Sequence, residues 1–131
     1  MTDTAAKASL ADRISEIEEA YEFMLAYAAQ GHPRVIEGDH IRDYLKRASA
    51  ALDGIGDAAA AAARGADADI FRPVVAMLGE DARKAQAGLR LALGQRAISS
   101  QLIDNLNASI HLRALLTDLF LIDEAVASIA T

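Results

Sequence analysis

The sequence predicts an all-α domain, an antiparallel up-down-up-down four-helix bundle, and three observations lead there. Alanine supplies 30 of the 131 residues, while Phe and Tyr number three each and Trp is absent. A core built from such small and aliphatic side chains suits close helix contacts. Apolar residues recur at alternating spacings of four and three along most of the chain, the pattern of helices with one buried face. Glycine, proline and capping residues divide these runs with connections of about four to eight residues, as between antiparallel neighbours. The length fits one domain over residues 1–131.

The first helix is expected over about 9–30, opened by Ser9 and closed by Gly31 ahead of Pro33. Its buried line is Leu10, Ile14, Ile17, Tyr21, Met24 and Ala28. A second helix, 39–64, starts at the cap Asp39 and carries Ile41, Leu45, Ala48, Leu52, Ile55, Ala59 and Ala62. Gly54 and Gly56 interrupt it, each costing about 1 kcal/mol against alanine in a helix, so they mark a close helix crossing or a break into two shorter helices. Gly65 ends it, and Asp67 or Asp69 opens a third helix, 69–94, with Pro73 expected in the tolerant first turn. Its line is Phe71, Val75, Leu78, Ala82, Ala85, Leu89 and Ala92.

The last helix, 100–129 with Ser99 or Ser100 as its cap, is irregular. Ile103, Leu106 and Ile110 share one face, whereas Leu112, Leu115, Leu119, Ile122, Val126 and Ile129 lie on a face turned by more than a quarter circle. Leu116, Phe120 and Leu121 widen the apolar surface further, beyond the one stripe a four-helix monomer buries. In the first helix Phe23 and Tyr27 lie off the buried line. These five residues, Phe23, Tyr27, Leu116, Phe120 and Leu121, form the candidate partner-binding or dimer interface, and the chain is expected to form a homodimer through its C-terminal helix. A splayed bundle in which all five are core is the alternative.

Charge narrows the partners. Thirteen Lys and Arg against nineteen Asp and Glu give a net charge of −6, which disfavours nucleic acid as the main ligand. The absence of cysteine removes disulfides, thiolate metal sites and cysteine nucleophiles. The opening MTDTAAKASLADR has neither a signal-peptide apolar core nor a transit-peptide composition, so a cytoplasmic location is expected. The most apolar stretch, Ala114 to Ile122, contains Asp118 and is far shorter than the roughly 20 residues of a transmembrane helix.

No motif for catalysis stands out, and the expectation is a non-enzyme without cofactor. A carboxylate-bridged metal bundle needs two Glu-x-x-His copies, and only Glu37 to His40 has that spacing. His32 and His40 stand near one end of the expected bundle and His111 roughly 15 Å along its axis, too far to share a ligand. The string GIGD lacks the further glycine and lysine of a phosphate loop, and no Gly-x-Ser-x-Gly elbow occurs. Glu16, Glu18, Glu19 and Glu22 read as a solvated face, as do Glu80 and Asp81 ahead of Arg83 and Lys84.

Histidine phosphotransfer on His111 is one alternative, weakened because Leu112 and Arg113 follow directly with no acidic residue between. A coat on an apolar granule is another; the acidic balance argues against anionic membranes but not against a neutral polymer surface. The leading expectation is a non-catalytic helical interaction protein, an accessory, adaptor or regulatory subunit that binds another protein through the irregular last helix.

Overall fold

The computed structural model describes residues 2–31 and 40–129. They form six helices and, among the described residues, no strand: α1 Thr2–Ala29, α2 His40–Leu52, α3 Ile55–Ala62, α4 Ala68–Leu93, α5 Ser100–Ala108 and α6 Ile110–Ala127. The expected second and fourth helices are therefore two helices each, and each break has its own cause.

Between α2 and α3 the backbone turns at Gly54, whose φ of 70° lies in the left-handed region. Only glycine adopts that conformation without a steric penalty. The buried line nevertheless continues across it, because Leu52 ends α2 and Ile55 opens α3 with both side chains inside. Gly56 serves the other purpose glycine can serve: a Cβ there would stand 3.4 Å from the Cα of Gly79, so α3 and α4 cross backbone to backbone.

Between α5 and α6 the break falls at Ser109, extended at φ −58° and ψ 132°. Its Oγ accepts from the His111 N–H at 3.2 Å, capping the new helix. This single extended residue produces the rotation of face that the sequence shows. It also corrects one assignment: Ile110, grouped with Ile103 and Leu106, begins α6 and is 73% exposed.

Other ends follow local chemistry. Asp67 caps α4 through its Oδ1 and the Asp69 N–H at 3.0 Å, and Ser99 caps α5 through the Leu102 N–H at 3.1 Å. With Asp67 as cap, Pro73 lies past the first turn of α4, where it forgoes one intrahelical hydrogen bond. Ser9 does not open α1, which begins at Thr2; the alanine-rich start favours helix, and Lys7 Nζ donates to the Ile129 carbonyl at 2.9 Å. The expected cap Asp39 lies outside the described residues.

Packing is read from pairs whose numbers run in opposite directions. Phe23 meets Tyr44 and Glu16 meets Arg47 across α1 and α2. Arg42 Nη1 donates to the Leu93 carbonyl at 2.8 Å, and Gln86 Nε2 to the Ser49 carbonyl at 2.8 Å, across α2 and α4. Asn107 Nδ2 donates to the Met24 carbonyl at 3.2 Å across α1 and α5. α4 packs most closely on α6, and α1 on α2, α3 and α5. The core between them holds Leu10, Met24, Leu45, Ile55, Leu78, Leu89, Ile103, Leu115 and Leu119, all almost fully buried.

Candidate functional site

The sequence singles out five surface anchors, and the structure separates them. Tyr27 is 3% exposed and its hydroxyl donates to the Ile98 carbonyl. The same stretch is tied again by Ser100 Oγ, which donates to the Tyr27 carbonyl at 2.8 Å. Off the heptad line is therefore not off the core: α1 has α2 and α3 on one side and α5 on another, so its buried surface is wider than one line. Phe23 is half-buried and stacks on Tyr44, with ring centroids 4.2 Å apart. Leu116 is 7% exposed and belongs to the core. Within one chain Tyr27 and Leu116 are thus inside, as the splayed-bundle alternative has it.

Phe120 and Leu121 stand differently, 55% and 57% exposed. Ile110 joins them, a residue that sequence reasoning had placed inward. On a helix of 3.6 residues per turn, Ile110, Ala114, Thr117 and Leu121 follow one line opposite the buried Leu112, Leu115, Leu119, Ile122 and Val126. Phe120 lies on its flank beside Arg113 and Glu124, both exposed. Among the described residues Leu25, Ile70, Met77 and Leu91 are exposed as well, but α6 carries three of the exposed large apolar side chains, on its outward line and flank.

His111 is exposed in the first turn of α6 rather than in mid-helix. It borders an open groove of about 400 Å³ whose other walls include Lys84, Gly88, Leu91 and Leu106. Gly88 makes room for this contact, since a Cβ there would come within 3.1 Å of Leu106 Cδ1. Among the described residues no three His, Asp or Glu side chains stand close enough to hold a metal ion. Of the spacing Glu37 to His40, Glu37 lies outside the described residues, as does His32. No described helix is long and apolar enough to cross a membrane.

A further polar feature was hidden from sequence reading. Asp118, on the inner side of α6, is 4% exposed, and its Oδ2 has no hydrogen-bond partner among the described residues. Burial first, then a hydrogen bond and the charge of Asp81 on α4, push its carboxyl up to about 7. Asp81 itself is half-buried rather than on the solvated face assigned to it. The signal in the sequence was the lone acid inside ALLTDLFLI; its partner could not be found without the packing of α4 on α6.

No family model, curated protein or solved structure matches the chain.

Proposed function

We propose that this protein is a non-catalytic helical interaction protein, an antiparallel four-helix bundle with two broken rods that pairs with a second copy of itself and binds another protein through the outer face of α6. The observation that carries the reading is the outward line of Ile110 and Leu121 with Phe120 beside it, apolar surface that an isolated domain gains by covering.

Charge on the same face favours a second copy as one occupant. Arg113 is the one Lys or Arg in α6, and Glu124 follows eleven residues later on the same flank, about 16 Å along the axis. Two α6 helices crossing antiparallel about a twofold axis set each Arg113 towards the partner's Glu124, while the apolar line between them is shared.

Light scattering at micromolar concentration tests the pairing, and a dimeric mass is expected. Leu121→Glu should give a monomer that keeps its helical circular dichroism, since Leu121 is largely outside the core. Reversing one charge with Arg113→Glu should weaken the dimer, and adding Glu124→Arg should restore it. A wild-type monomer at these concentrations would overturn the self-pairing.

A further inference from the structure

We propose that Asp81 and Asp118 form a proton-operated latch between α4 and α6, closed while the two carboxyls share one proton and loosened when that proton leaves. The inference is independent of what the outer face of α6 binds.

The geometry poses a problem that a proton solves. As a carboxylate, Asp118 would be an acceptor buried with no donor for Oδ2, facing a second carboxylate across the broad contact of α4 with α6. An unpaired buried charge is among the costliest arrangements a core can hold. As an acid, Asp118 supplies its own donor and Asp81 accepts. One proton then turns a repulsion between two carboxylates into a hydrogen bond, as in other close carboxyl pairs.

Among the described residues no other group forms an ion pair with these two acids. On α4, Lys84 is 3.9 Å from Glu80, and Arg90 is 3.8 Å from Asp53; Arg83 is exposed. On α1, Lys7 is engaged by the Ile129 carbonyl. On α5, Asp104 is exposed, and on α6 itself so are His111, Arg113, Asp123 and Glu124. Asp81 is the charged group that acts on Asp118.

The direction follows from the raised value. In the packed state Asp118 keeps its proton up to a pH of about 7, whereas an ordinary aspartate releases it near 3.8. Between those limits the packed state binds one more proton than the opened state. Each unit of rising pH therefore favours opening by about tenfold, and the effect levels off once both states have lost the proton. Opening along this contact uncovers the inner line of α6, Leu115, Leu119 and Ile122, close to neutral pH.

Amide hydrogen exchange of the full chain between pH 5 and 9, corrected for intrinsic rates, tests this. In the wild type, opening of residues 112–126 should increase about tenfold per unit from pH 5 to 7 and then plateau, while residues 10–24 of α1 stay protected. In Asp118→Asn, which keeps a donor for Asp81 without the charge, α6 should show no such slope. Identical slopes in the two proteins, or equal loosening of α1 and α6 in the wild type, would overturn the latch. Carbon-13 NMR of the wild-type Asp118 carboxyl provides a readout that needs no variant: a midpoint near neutrality supports the latch, and one in the ordinary carboxylate range refutes it.

Discussion

The contact of α1 with α2 and that of α4 with α6 solve the same packing problem with opposite electrostatics. Across the first, Arg47 lies 2.7 Å from Glu16 and 3.3 Å from Glu19, its cation sits 4.9 Å from the Tyr44 ring centre, and the two glutamates hold the guanidinium above its usual range. Arg13 reaches over to backbone instead: it donates to the Ala51 carbonyl at 2.9 Å and to that of Asp53, closing the end of α2. Across the second contact the buried acid Asp118 faces a second acid, Asp81, and no ion pair joins the two helices among the described residues. Opposite charges placed in solvent contribute little and vary little with pH; like charges placed inside make a contact whose strength depends on one proton. The comparison teaches that the polar residues most visible in the sequence are the least consequential.

Several substitutions would break or sharpen this contrast, and their expected sizes descend in a clear order. Leu119→Ala, at a fully buried α6 position, should cost about 2–5 kcal/mol in urea unfolding, because it removes apolar contact and leaves a cavity. Asp81→Lys replaces the second acid by a cation and should draw the Asp118 carboxyl down from about 7. Stability at pH 8 should then rise by roughly 1–3 kcal/mol, with little change at pH 4, where Asp118 is largely protonated in either protein. A gain of equal size at both pH values would show that Asp81 does not act through the proton. Arg13→Ala should cost about 0.5–1 kcal/mol, since water can reach the carbonyls it releases at the end of α2. Arg47→Ala should change the unfolding midpoint least, and whatever change is seen should vanish in molar salt.

The all-α class could be read from the sequence because helix periodicity and capping are local. Asp67 and Ser99 open helices where their own side chains dictate, and Gly65, with φ at 95°, turns the chain just after α3, which itself ends at Ala62 with Ala63 as its cap. Both breaks left local traces too, one as a pair of glycines and the other as a turned apolar face. Ser109 itself was not legible, since a serine inside an otherwise helical run says nothing until its neighbours change sides. Tyr27 was misplaced for a related reason: a strict seven-residue line drifts against a helix of 3.6 residues per turn, and a helix with neighbours on two sides buries more than the line. Asp81 was missed because Glu80 and Lys84 suggested local pairing. That pair does form, at 3.9 Å, and it leaves Asp81 turned towards α6.

The two breaks have one further consequence, which lies in α4. Gln86 Nε2 binds the Ser49 carbonyl and, at 2.7 Å, Asp53 Oδ1 beside the first break. Two residues later, Gly88 receives Leu106 just ahead of the second. A single uninterrupted rod thus serves as the gauge against which both interrupted ones are set. A substitution at Gln86 or Gly88 disturbs one of these contacts at a time, but a deletion of one residue ahead of them would swing both about 100° out of register together. Length, more than composition, is what the middle of α4 has to preserve.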